Sequence, residues 1–368
     1  MAAMHWDVFC RVIDNHGDLG VCWRLCRDLA ARGQAARLFV DDASALAWMA
    51  PDAASRHGVS VLPWSAAESD PPSPGDVVVE AFGCDPPAPF VARMAEAARA
   101  GPAPVWINLE YLSAEDWVER AHGLPSPQSS GPGQGLTKWF WFPGFTARTG
   151  GLLREPGLPS AHDDFAADDA AAFLRALGVP DDGARPVSVF VYPHAPLTAL
   201  AATLATAPGA SGWRLLLTPG TPDPLSDGDF GPGLCSHRLP WLTQPDYDRL
   251  LRACTLNIVR GEDSFVRAQW AGRPFVWHIY PQDDGAHGPK LQAFLDRFGA
   301  DAVPELRACW NAFNGLSPLR PGGRLPWPEE GPWQAACTAW RARQGQFDDL
   351  VTQLLGFVAT RPSPQQAG

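Results

Sequence analysis

The chain lacks several features that would place it quickly. It has no run of about 18 or more apolar residues, so no segment reads as a membrane span. Its first residues run straight into a strand-like stretch, without a basic segment, an apolar stretch and a cleavage site, so no secretory signal is expected. The eight cysteines include no Cys-x-x-Cys pair. Cys22 and Cys26 are four apart on a predicted helix with no histidine near them in sequence, which points to buried thiols in a reducing cytoplasm and not to zinc or disulfides. Positive charge is also short. Lys and Arg number 29 against 40 Asp and Glu, for a net charge of −11. That excludes a general nucleic-acid binder, which needs cations to displace phosphate counterions. A local basic patch for one phosphorylated ligand remains allowed. No period repeats, and there is no Gly-x-Ser-x-Gly elbow or metal-diphosphate acid motif.

What is present is a globular composition, 46% hydrophobic and 19% charged, rich in proline (38), glycine (35) and tryptophan (16). At 368 residues the chain is too long for one ordinary core, so two domains are expected. Residues 6–13 form an apolar run of strand length, followed by the turn-formers DNHGDLG. A helical pattern with Val21, Leu25 and Leu29 on one face comes next and stops at Gly33. Residues 36–40 then read as a second buried strand, completing a βαβ unit. Further strands are predicted at 59–63, 76–82 and 104–111, with helices at 43–50 and 88–100. Residues 123–160 read as a long Pro/Gly/Ser-rich connection, although its KWFWFPGF segment is too aromatic to be a free linker.

The alternation restarts after a helix near 168–177. Strands are predicted at 186–194, 213–219, 256–262 and 274–281, with helices at 245–252 and 264–271. Residues 340–359 read as one terminal helix with Phe347, Leu350, Leu354 and Val358 on a stripe, followed by a frayed tail. The predicted class is therefore α/β. An N-terminal Rossmann-like lobe spans 1–180, a C-terminal one spans 181–342, and residues 343–368 pack back on the first.

Two loops carry chemistry. Asp14-Asn15-His16-Gly17-Asp18-Leu19-Gly20 lies beyond the carboxyl end of the first strand, where ligands of open α/β sheets bind. Gly17 and Gly20 permit a tight turn, and Asp18 falls near a helix N-terminus that favours a carboxylate. Either aspartate alone is explained as an N-cap, but two around one glycine leave one over. A dinucleotide is the weaker ligand here despite Asp41 at the end of the second strand. The glycines are spaced GxxG and not GxGxxG, and two acids would face a pyrophosphate. The second loop, Arg260-Gly261-Glu262-Asp263-Ser264, joins a buried strand to a helix. That arrangement suits a diphosphate, with free backbone N–H groups, a positive dipole end and a guanidinium fork. Its plain alternative is a capping turn with Asp263 or Ser264 as cap and Arg260 paired to Glu262. Phe190 and Tyr192 alternate on one strand and, with Tyr247, offer flat faces to a base, although strand aromatics are more often core. His194, His278 and His287 lack metal-ligand spacing. Two Rossmann-like lobes, with acids on one and a phosphate turn on the other, describe a sugar-nucleotide transferase of the GT-B kind with a cleft between its lobes.

Four segments carry a resemblance: WDVFCRVIDNHGDLGVCWRLCRDLA, VWINLEYLSAEDWVERAHGLPSP, LTKWFWFPGFTARTGGLLRE and NIVRGEDSFVRAQWAGRPFVWHIYPQ. Together they resemble the EarP family of protein-arginine rhamnosyltransferases, in the same order over nearly the whole chain. The resemblance implies a GT-B fold and a dTDP-β-L-rhamnose donor. It further implies an inverting, metal-independent transfer to an arginine of elongation factor P in the cytoplasm, relieving stalling at consecutive prolines. No cofactor, nucleic acid or membrane is implied. Asp14, Asp18 and Glu262 match the family's catalytic acids, Phe190 and Tyr192 its base-binding strand, and Gln244, Arg260, Asp263 and Ser264 its donor contacts. Asn15, Gly17 and Tyr247 are counted with the substrate-contacting positions. His16 and Tyr247 depart from the Phe or Tyr and the Phe expected there, and both keep a flat ring. The alternatives are a GT-B transferase with a glycan or small-molecule acceptor and a non-catalytic binding protein for elongation factor P.

Overall fold

The computed structural model describes residues 3–13, 16–53, 57–158, 165–207, 212–226, 230–231 and 233–361. The chain divides into two compact units, Met1–Pro156 with Phe347–Gly368, and Gly157–Gln346. The sequence reading drew these boundaries at 180/181 and 342/343. Among the described residues, no helix is long and apolar enough to cross a membrane.

In the first unit the strands are β1 (His5–Cys10), β2 (Ala35–Val40), β3 (Val59–Pro63), β4 (Val77–Ala81), β5 (Val105–Leu109), β6 (Pro125–Pro127) and β7 (Thr137–Trp141). They form one sheet in the order β3-β2-β1-β4-β5-β7-β6, parallel except for the β6/β7 pair. β1, β4 and β5 are apolar almost throughout because both sheet faces are covered. On one face Val8, Val77 and Val79 pack with Leu19, Leu25 and Leu29 of α1 (Gly17–Ala31). On the other, Phe9, Phe39 and Val78 pack with Phe90, Val91 and Met94 of a later helix, Ala88–Ala100. The predicted connection 123–160 is therefore not all loop. The aromatic segment supplies β7, whose Trp139 registers with Ile107 of β5.

The last element of the chain returns to this unit. Residues 340–359 are not one helix. One ends at Gln344 and a second, Leu350–Ala359, starts at the N-cap Asp349, whose carboxylate accepts the N–H of Thr352 at 2.8 Å. The break coincides with the passage of the chain from the second unit to the first. Val351, Leu354 and Val358 then enter the core on the α1 side, each stabilising by roughly 1.5–3 kcal/mol in transfer terms. Arg32, just past α1, holds both ends of the arrangement, with Nε on Asp28 and Nη2 on Asp349, each at 2.8 Å.

The second unit contains β8 (Arg185–Val189), β9 (Trp213–Leu217), β10 (Leu234–Arg238), β11 (Leu256–Arg260) and β12 (Phe275–His278). The sheet order is β10-β9-β8-β11-β12, all parallel. β10 was not predicted. Its sequence LCSHR has little apolar content, and its middle residues are only partly buried because it is an edge strand. Phe265, Phe275, Phe294 and Trp310 build an aromatic cluster on the α9 side of this sheet, with α9 the helix Glu262–Ala271. The helix Gln244–Ala253 covers Leu216 with Leu250.

Candidate active site

In both sheets the strand order reverses direction at one point, between β1 and β4 and between β8 and β11. Neighbouring crossovers diverge there and leave the carboxyl ends of two strands uncovered, the usual ligand position in open α/β sheets. The segments singled out in the sequence follow β1, β8 and β11.

Beyond β1, Asp14 and Asn15 lie outside the described residues. His16 is the N-cap of α1 without a side-chain cap bond, and Gly17 is its first residue. Asp18 sits in the first helical turn, 3% exposed, and its Oδ2 accepts the N–H of Ile13 at 2.9 Å. It is thus not the N-cap itself but a carboxylate reaching back across the turn. The His16 ring meets Trp48 edge to face at 5.2 Å. Asp41 accepts the N–H groups of Val12 at 3.0 Å and Asp42 at 2.9 Å. That carboxylate is committed to holding the loop, which does not favour a ribose role.

Beyond β8 and β11 the predicted residues come together. Arg260 Nη1 donates to the carbonyl of Val191 at 3.2 Å. Its guanidinium lies 4.4 Å from the Phe190 ring centroid and 4.7 Å from that of Tyr192. β8 ends at Val189, so neither aromatic lies on the strand predicted at 186–194; both stand in the segment just beyond it, and they come together by holding one guanidinium. Phe190 also meets Tyr247 edge to face at 6.0 Å. Burial pushes the Tyr247 hydroxyl well above its ordinary range, against the pull of Ser264 beside it. Tyr192 donates its N–H to Nδ1 of His278 at 3.2 Å, and burial with the nearby Arg260 charge lowers that imidazole to about 4. His278 is thus a neutral acceptor that fixes the Tyr192 backbone.

The turn between β11 and α9 is a single residue. Gly261 is the N-cap, with φ 64° and ψ −172°, a conformation open essentially only to glycine. Neither Asp263 nor Ser264 is the cap. Glu262, Asp263 and Ser264 make up the first helical turn, so the backbone N–H groups at this end face outward from the β11 terminus. The Trp277 indole donates to Gly261 O at 3.0 Å, and Gln244, buried at the start of its own helix, donates from Nε2 to Asp263 at 3.4 Å. Gln244 and Asp263, nineteen apart in sequence, are thereby one group. The chemistry available is that of an anion cradle, with one oriented guanidinium, a helix N-terminus and ring faces beside it.

Sequence reading missed a third feature, at the ends of β4 and β5. Phe82 stacks on Tyr111 with centroids 4.4 Å apart and 17° between planes, and Phe82 has φ 58°. Glu110, next to Tyr111 in sequence, is half-buried, and burial raises its carboxyl against the hydrogen bond from Asn108. The signal in the sequence was a bulky residue directly before Gly83 at a strand end.

The family described as elongation-factor P (EF-P) rhamnosyltransferase EarP matches residues 6–359. A protein-arginine rhamnosyltransferase of Pseudomonas putida is 46% identical, covering 96% of this chain and 98% of its own. One from Pseudomonas aeruginosa is 42% identical over the same shares. A solved structure described as the structural basis for EarP-mediated arginine glycosylation of translation elongation factor EF-P is 31% identical. It has a TM-score of 0.61 and covers 97% of this chain and 99% of its own. Arabidopsis thaliana UGT89C1, complexed with UDP-L-rhamnose, is 12% identical with a TM-score of 0.53, covering 98% and 99%, a likeness of fold alone. The two parallel-sheet units are those of the GT-B class.

Proposed function

The chain belongs to the EarP family of protein-arginine rhamnosyltransferases, and from that premise we propose that it moves L-rhamnose from dTDP-β-L-rhamnose to an arginine of elongation factor P, with inversion and without a metal. The observation that carries the donor half is the convergence of Phe190, Tyr192, Arg260, Gln244 and Asp263 around the β8/β11 switch point. Phe190 and Tyr192 offer ring faces to the base, while Arg260 and the α9 N-terminus take the diphosphate.

The acceptor sets the harder problem. A guanidinium has a pKa above 12 and no free lone pair, while an ordinary aspartate titrates near 4. Removing its proton before attack would cost about 12 kcal/mol, a large part of a barrier. Carboxylates that grip the guanidinium instead localise its electrons and accept the proton late, as the new C–N bond makes the nitrogen acidic. In this scheme a guanidine nitrogen attacks the anomeric carbon and the C–O bond to the diphosphate breaks. The electron pair leaves with dTDP, stabilised by Arg260 and the helix end, and the proton passes to Asp18. One displacement inverts the centre. Asp14 orients the acceptor, and Glu262 positions acceptor or donor. A translation factor as acceptor places the enzyme in the cytoplasm.

The test is the intact mass of elongation factor P after incubation with enzyme and dTDP-β-L-rhamnose, with and without a chelator. A gain of one deoxyhexose in both arms is expected. No gain removes the protein-acceptor reading, and complex formation without a gain favours a binding protein. A gain lost on chelation removes metal independence.

A further inference from the structure

Three arginines gather at the amino ends of β11 and β12, the edge of the second unit's sheet away from the RGEDS turn. Arg252 lies in the last turn of the helix Gln244–Ala253, and Arg273 stands between α9 and β12. Arg341 comes from the helix Glu330–Gln344. Together with Phe165 and Gly272 they line a cavity of about 180 Å³. Arg260 ends β11 on the other side of the sheet, roughly 16 Å of strand away.

Each guanidinium is held in place. Arg252 is buried, its Nε donates to Asp248 O at 3.2 Å, and its guanidinium lies 4.7 Å from the Phe165 ring centroid. Arg273 Nε donates to Arg252 O at 3.3 Å. Gly272 is the left-handed C-cap of α9 at φ 63°, and a Cβ there would stand 3.1 Å from Arg341 Cδ, so glycine lets that side chain cross the turn. Gln334 Nε2 donates to Gly272 O at 2.7 Å and to Thr338 Oγ1 at 3.0 Å, tying the Arg341 helix to the same turn.

Helix capping accounts for part of this charge. Two helices end here, and their C-termini together carry about one negative charge, against three guanidiniums. Among the described residues no acid lines the cavity, and neither Arg273 nor Arg341 has a carboxylate partner. The acids of the neighbouring helix are engaged elsewhere. Asp248 receives Arg267 at 2.9 and 2.7 Å, and Asp246 receives Arg249 at 3.3 Å. Burial lowers the Arg252 guanidinium from its ordinary range against the pull of Asp248, and the charges of Arg267 and Arg249 push the same way. A chain of net charge −11 thus concentrates cations at one cavity.

We infer that the Arg252–Arg273–Arg341 cavity binds a phosphate group, free or as a small phosphate monoester, at a site separate from the donor cradle. Its volume is about six water volumes, room for a phosphate group with part of its hydration. Guanidinium forks arriving from three elements suit an anion with acceptor oxygens on several sides better than a carboxylate with two. The inference does not depend on the transferase reading.

The test is calorimetric titration of the full chain with inorganic phosphate. Asp163 and Asp164 precede Phe165 in sequence and lie outside the described residues, so the double variant Asp163→Asn with Asp164→Asn is titrated too. Wild type is expected to bind with a Kd below about 1 mM. Arg273→Ala combined with Arg341→Ala should weaken that binding at least about tenfold, and Arg341→Ala alone should shift it the same way. Phosphate should raise the wild-type melting temperature and leave that of the double arginine variant in place, which separates a lost site from a lost fold. Arg260→Ala and the Asp163/Asp164 variant should bind as wild type does. No binding by wild type, or equal binding by the double arginine variant, overturns the inference. Loss in Arg260→Ala alone also overturns it by moving the phosphate to the donor cradle. Binding that emerges only in the Asp163/Asp164 variant overturns it by giving the arginines to the chain's own acids.

Discussion

The carboxylate of Asp18 accepts the backbone N–H of Ile13 at 2.9 Å, closing the turn between β1 and α1 onto its own helix. A carboxylate held this way presents one orientation, which suits the base role proposed for it. Asp18→Asn keeps an oxygen that accepts the same N–H, so the turn survives and only basicity goes. The expected result is a fall in kcat of about 10²–10⁴-fold, with dTDP-rhamnose binding by calorimetry as in wild type. Near wild-type transfer by this variant would take Asp18 out of the base role.

Arg260 is held by a carbonyl on one side and two rings on the other. Arg260→Lys retains the charge and loses the plane and the fork, which is not a conservative change at such a site. Donor-dependent kcat/KM should drop about a hundredfold, while KM for elongation factor P stays put. A wild-type profile would show that charge alone suffices.

Gly261, at φ 64° and ψ −172°, forms the whole connection between β11 and α9. Gly261→Ala puts a Cβ into a conformation essentially restricted to glycine, at a cost of about 1–3 kcal/mol. Thermal unfolding should register that loss, and donor affinity should fall with it because the same residue aims the helix N-terminus. An alanine variant with an unaltered melting temperature would contradict the strain argument.

Asp28 titrates high. Burial, against the pull of Arg32, pushes its carboxyl up to about 6. A carboxylate whose folded pKa is raised contributes stability that is present below its ordinary value near 4 and is lost as pH rises through about 6. Chemical denaturation across that window should therefore show a loss on the order of 3 kcal/mol from this group. In Asp28→Asn the slope between pH 4 and pH 6 should flatten, an outcome read directly from the midpoint against pH. An unchanged slope assigns the pH dependence elsewhere.

Much of the fold was legible in the order of residues. The runs at 6–13, 36–40, 76–82 and 104–111 are mostly apolar, without strict alternation, because their strands are covered on both faces, and that pattern is local. The RGEDS segment was legible as a strand-to-helix turn because Gly261 and the acids after it carry their conformational preferences with them. Its plain alternative, with Asp263 or Ser264 as the cap, fails: both are good caps in isolation, and only the one-residue connection forces Gly261 into that place. β10 stayed hidden because an edge strand needs little apolar content, and the helix at 340–359 was drawn unbroken because its stripe continues through the break at Gly345–Asp349.

Phe190, Tyr192 and Arg260 were each named from the sequence, yet nothing in the sequence said that the two rings would close on that guanidinium. Gln244 and Asp263 became partners only when two helix starts met, and Phe82 met Tyr111 only when β4 and β5 paired. By itself the sequence determined which segments are strands or helices and where acids and glycines interrupt them, since these follow from each residue's preferences and its near neighbours. The tertiary structure alone decided which interruptions share a switch point and which side chains touch there. Those contacts join residues far apart in the chain and depend on strand order and register, and no local pattern encodes either.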